Sequence, residues 1–113
     1  MADHITISRA EGTWVVRAGG AVLAESAEAL ELRERDFPPV IYFPRKDIAM
    51  AFLEASDRRA ESPAIGEAHF YTIAGKSGPI ENAGWAYEAP AEAAARIAGH
   101  IAFRHDAVTV EQL

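Results

Sequence analysis

Cysteine is absent from this sequence. That excludes disulfides, thiolate nucleophiles and cysteine-based zinc sites together. Basic residues are scarce: 11 Lys and Arg stand against 17 Asp and Glu, a formal charge of −6, with a pI near 5.1. A nucleic-acid binder gains affinity by placing cations on phosphates. The field of this chain opposes that use, and no nucleic-acid partner is expected. The adjacent cations Arg58 and Arg59 are flanked by Asp57 and Glu61 and read as solvated surface. No apolar run approaches the roughly 20 residues of a membrane helix, so no membrane partner is expected either. Met1 to Ile5 carries no basic leader and no long apolar stretch, which points to the cytoplasm. Large apolar side chains are fewer than the composition suggests. Half the chain is hydrophobic, but 24 of its residues are alanine, which gains little from burial.

What is present leans towards strands. Residues 4–8, 14–17, 21–25 and 30–34 carry apolar or alternating patterns, and Gly19-Gly20 lies between two of these runs. Paired glycines there signal a hairpin, because both central residues of a type I′ turn need positive φ. Pro38-Pro39 breaks the pattern before a short apolar strand at 40–43. Pro44, Asp47 and the Ile48/Phe52 stripe predict a helix over residues 45–53, with proline in the first turn and an acid near the positive end of the dipole. Residues 55–67 are polar, hold Pro63 and Gly66, and read as a loop. Further strands are expected over 68–73, 82–87, 100–104 and 107–111. A turn falls around Gly75, Gly78 and Pro79, and a short alanine-rich helix starts at Pro90 and is stopped by Gly99 in a left-handed conformation. The expectation is one mainly β domain over residues 1–113. It has about eight strands and two short helices, with antiparallel sheets packed on each other.

Two groups of residues could carry chemistry. Tyr42, Arg45 and Asp47 lie in the segment Tyr42-Phe43-Pro44-Arg45-Lys46-Asp47, where a strand runs into a helix start. Free N–H groups and Arg45 could hold an anion there. The plainer alternative is a core Phe43, a dipole-neutralising Asp47 and a surface Arg45. The second group is His69, Tyr71, Trp85 and Tyr87 on two strands. Side chains two apart share a face, so His69 pairs with Tyr71 and Trp85 with Tyr87. If the two faces coincide, they form an aromatic platform with an imidazole, suited to flat or cationic ligands. Ordinary sheet packing is the alternative. His100 and His105 have the wrong spacing to share a strand face, and no acid cluster completes a tetrahedral set. No metal and no cofactor is expected. No serine sits in a Gly-x-Ser-x-Gly elbow and no glycine loop has phosphate-binding spacing.

These residues also carry a family resemblance. The chain resembles the bacterial domain-of-unknown-function family 427. Tyr42, Phe43, Pro44 and Asp47 match its Tyr-Phe-Pro-x-x-Asp segment, and Trp85, Tyr87 and Pro90 its Trp-x-Tyr-x-x-Pro segment. Gly99, Ala102 and Phe103 match its Gly-x-x-Ala-Phe segment. The loop Ser62-Pro63-Ala64-Ile65-Gly66 departs from the family's Cys-Pro-x-Lys-Gly at Ser62 and Ile65. The resemblance implies two antiparallel sheets meeting at an angle, similar to the β-tent group, whose members include zinc-pinned domains with a pocket between the sheets. The cysteines that hold such zinc are missing here. The family is sometimes labelled nucleotidyltransferase-like, but no metal-binding Asp pair beside a Gly-Ser motif supports that label.

The resulting expectation is a small-molecule-binding module with a pocket between two β-sheets, formed from Tyr42, Arg45, Asp47, His69, Trp85 and Tyr87. One alternative is a small enzyme using His69 or Asp47 as acid or base. The other is an oligomerisation or interaction domain pairing through strand edges.

Overall fold

The computed structural model describes residues 4–75 and 78–113. The N-terminal residues Met1 to Asp3 and the two residues between Gly75 and Gly78 lie outside the described residues, so part of the expected N-terminus and of that turn does too. Ten strands run through the described chain: β1 (Ile5–Arg9), β2 (Trp14–Ala18), β3 (Ala21–Ser26), β4 (Leu30–Glu34), β5 (Val40–Tyr42), β6 (Leu53–Ser62), β7 (Gly66–Gly75), β8 (Gly78–Tyr87), β9 (Ile101–Phe103) and β10 (Thr109–Gln112). They form three antiparallel sheets, ordered β1-β4-β5, β10-β2-β3 and β6-β7-β8-β9. The mainly β class stands, and the count of two sheets becomes three.

One link nearly restores the smaller number. Phe43, just past β5, exchanges both backbone hydrogen bonds with Ile101 at the head of β9, each 2.9 Å. That single bridge splices β1-β4-β5 onto β6-β7-β8-β9. The remaining sheet, β10-β2-β3, holds the Gly19-Gly20 turn with φ of 56° and 86°, the doubly left-handed conformation that the glycines permit without a side-chain clash.

The splice is buried on both faces, so its residues alternate between two cores. Phe43, Ile41, Ile101 and Phe103 point to a cluster shared with Val16 and Leu23 of the β10-β2-β3 sheet. Tyr42 and Ala102 point the other way, to a cluster with Leu30, Leu32, Ala68 and Tyr87. Ala94 and Ile97 join this second cluster from a 3₁₀ turn at Glu92–Ile97.

Neither expected α-helix forms. Residues 45–53 hold two separate 3₁₀ turns, Arg45–Asp47 and Met50–Phe52. Between them Ile48 is extended and bridges Ala24, and the Ala49 N–H donates to the Leu23 carbonyl at 2.8 Å. A backbone bond to β3 replaces the helical one, so tertiary pairing overrides the local pattern. The alanine-rich segment is likewise 3₁₀, kinked at Ala94. Gly99 does take the left-handed conformation, φ 75°.

The expected loop over 55–67 is the third correction. Most of it is β6, an edge strand whose residues are mostly exposed. A strand wet on both faces shows no alternation, and charges along it discourage pairing with another chain. A register shift between Ala55 and Arg59 further breaks its period. The turn to β7 is only Pro63-Ala64-Ile65, closed by the Ile65 N–H to the Ser62 carbonyl at 3.2 Å.

Candidate functional site

The splice leaves a cavity of about 330 Å³ on its inner face. β4 and β5 supply Leu32, Glu34, Val40 and Tyr42 to one wall. β7 and β8 supply Ala68, Phe70, Trp85 and Tyr87 to the other. Register explains the second wall. Phe70 lies opposite Trp85 and Ala68 opposite Tyr87, so these four side chains share one face of the sheet. Ser62 and Ile65, at the two ends of the β6–β7 turn, close one side. Phe37 also lines the cavity yet is 65% exposed, so its ring stands at the mouth.

The aromatic groups are fixed by one another. The Trp85 Nε1–H donates to the Tyr42 hydroxyl at 3.2 Å, and the two rings meet edge to face with centroids 6.4 Å apart. The Phe70 and Trp85 rings lie 6.5 Å apart. Such pairs add stability beyond their buried area. Burial pushes the Tyr42 phenol well above its ordinary pKa, and the Trp85 hydrogen bond only partly offsets it. Burial also raises Tyr87, opposed by the Ser62 hydroxyl and reinforced by the charges of Glu34 and Glu61. Both phenols therefore stay neutral at physiological pH, as hydrogen-bonding groups in an apolar wall.

Of the six residues expected from the sequence, Tyr42, Trp85 and Tyr87 line this cavity, whereas Arg45, Asp47 and His69 do not. His69 faces the opposite side of the sheet from Trp85, since the neighbour Phe70 takes the position across from Trp85. The two aromatic faces therefore do not coincide, and no platform combines the imidazole with Trp85. His69 Nε2 instead approaches Glu67 at 3.4 Å.

Arg45 is a clamp. Its Nε–H donates to the Gly99 carbonyl at 2.6 Å, its Nη2 donates to the Tyr71 hydroxyl at 3.1 Å and pairs with Glu88, and its guanidinium lies 5.6 Å over the Tyr71 ring. These contacts tie the turn after the splice to β7 and to the segment after β8. Asp47 secures a different turn. Ser26 Oγ donates to Asp47 Oδ2 at 2.7 Å and accepts the Glu28 N–H at 2.9 Å. The Ser26 hydroxyl, more than the Lys46 ammonium beside it, lowers the Asp47 pKa.

A pH dependence follows from Asp47. The folded-state pKa is depressed, so the stabilisation is complete above the ordinary carboxylate range and is lost as pH falls through the folded value. Ser26→Ala should lower stability measured by urea unfolding at about pH 7, and the gap to wild type should shrink by about pH 3. An equal gap at both pH values would contradict this role.

The sequence reading missed Leu32, Glu34, Phe37 and Phe70. The alternation of β4 already placed Leu32 inward, and Phe70 needed only the correct register. Phe37 and Glu34 carry no signal before the fold brings them to the cavity. No helix among the described residues is long and apolar enough to cross a membrane.

These features define a mainly β protein whose spliced sheets flank an open, aromatic-walled cavity. The chain belongs to the family described as a domain of unknown function, DUF427, whose model matches residues 6–112. A search of curated proteins finds no match. The segments that carried the family resemblance now have physical roles. Tyr42, Trp85 and Tyr87 wall the cavity, Phe43 and Phe103 pack at 6.1 Å in the core, and Asp47 fixes a turn. Ser62 and Ile65, where the resemblance implied Cys and Lys, both fall on the cavity wall.

Proposed function

We propose that this protein is a small-molecule-binding module that takes a ring-bearing ligand into the cavity between β4–β5 and β7–β8. The observation that carries the reading is the cavity itself, about 330 Å³ with Tyr42, Phe70, Trp85 and Tyr87 on its walls. Ligand sites are concave and mostly apolar, with a few placed polar groups, and begin at about 300 Å³. A space near that lower limit suits one fused ring system with a short substituent. The Tyr42–Trp85 hydrogen bond holds the wall in place before a ligand arrives, which reduces the ordering cost of binding.

The enzyme alternative finds less support. Asp47 is committed to Ser26 and its lowered pKa weakens it as a base. His69 lies on the opposite face of the sheet from the cavity wall.

Indole is a suitable probe. Calorimetric titration should detect binding to the wild-type chain. Ala60 lines the cavity from the exposed edge strand β6, so Ala60→Trp should fill the space with little disturbance of the core. Binding should then fall at least about tenfold, with the melting temperature kept within a few degrees. Unchanged binding in Ala60→Trp would place the ligand elsewhere and refute the reading.

A further inference from the structure

We propose that the cavity selects an organic cation, a ring bearing an ammonium that sits beside Glu34; this rests on the cavity being a ligand site. Two charged side chains line the space, Glu34 and Arg104, and they are not equivalent. The Arg104 guanidinium is already matched. Its Nε and Nη2 grip the two oxygens of Asp106 at 3.1 and 3.0 Å, and its Nη1 reaches the Glu81 and Asn82 carbonyls at 3.5 and 3.4 Å. The Glu34 carboxylate has one ion-pair partner among the described residues, His4 Nε2 at 3.4 Å, and its side chain is only 19% exposed. Arg104 holds both oxygens of its carboxylate partner, whereas His4 approaches Glu34 through a single ring nitrogen.

The carboxylate of Glu34 lies among rings. The field of Glu34 reaches both the Tyr42 and Tyr87 phenols, helping to raise both. Aromatic faces attract cations through the ring quadrupole, more strongly when water is excluded. One such contact exists within the protein already: the Arg58 guanidinium lies 5.1 Å over Phe70. That contact engages Phe70, leaving Trp85, Tyr42 and Tyr87 on the cavity walls for a ligand. An anionic ligand would meet Glu34, and the cation that lines the space, Arg104, is already paired with Asp106. A neutral one would leave the carboxylate partly desolvated without a new partner, a cost that falls on binding.

Three probes of one shape separate the possibilities: tryptamine, 3-ethylindole and indole-3-propionate, titrated calorimetrically at low salt. The expected order is cation, neutral, anion, with the cation about tenfold tighter than the neutral probe. Glu34→Gln should cut that advantage to threefold or less, by weakening tryptamine and not by loss of both probes together. Equal binding of tryptamine and 3-ethylindole to wild type overturns the cation proposal and leaves the cavity reading standing. Tightest binding of the anion also overturns it, and makes Arg104 the anchor. No binding of any probe at millimolar concentration overturns both. The wild-type order stands as a test even if Glu34→Gln fails to fold.

Discussion

Phe43→Ala should destabilise the protein by about 3–5 kcal/mol. Phe43 has no exposed surface, and its ring packs on Phe103 with centroids 6.1 Å apart. Its backbone makes both bonds of the bridge to Ile101 that splices two sheets. Truncation removes buried apolar area and leaves a cavity that a doubly buried strand has little freedom to close. Domains of this kind have total stabilities of about 5–15 kcal/mol, so much of the folded population is at stake. Urea unfolding at constant m-value measures the change. A loss below about 1 kcal/mol would mean that the splice is not a principal core element.

Trp85→Ala should remove ligand binding and cost about 2–4 kcal/mol of stability. The indole lines the cavity, and two of the wall's aromatic contacts pass through it. Its loss also leaves the buried Tyr42 hydroxyl without its donor, which adds a desolvation cost. Trp85→Phe separates the two effects. It keeps most of the ring area and loses the hydrogen bond, so its stability should fall between wild type and Trp85→Ala. If Trp85→Ala binds indole as wild type does, the ligand does not use this wall. Calorimetry and urea unfolding on the same three proteins decide the matter.

The sequence carried these two positions unequally. The run Leu30–Glu34 reads directly as a strand because one face is apolar and the other wet, and β4 has those bounds. Tyr42, Trp85 and Tyr87 could be singled out as aromatic residues at strand-like spacing. Their meeting in one cavity depended on strand pairing. A one-residue change of register exchanges the two faces of a strand, and here it is Phe70, not His69 or Tyr71, that faces Trp85. The polar, bulged β6 offered no pattern from which to fix that register. The helix expected over 45–53 failed for a similar reason. Its stripe of Ile48 and Phe52 fits a helix locally, yet the Leu23 carbonyl captures the Ala49 N–H. Glu34 lacked any local mark, because only the fold brings it to the cavity.

The two tryptophans offer the most direct test of the cavity as a ligand site. The Trp85 Nε1–H bonds the Tyr42 hydroxyl in the cavity wall, whereas the Trp14 Nε1–H bonds the Glu11 carbonyl at 2.9 Å and lies in another sheet. In a ¹⁵N-labelled sample their indole signals form an internal pair of reporter and control. Titration with tryptamine should shift the Trp85 indole signal progressively to saturation and leave the Trp14 signal in place. A Trp85 signal that stays fixed at millimolar tryptamine, or a shift of Trp14 alone, would contradict the account.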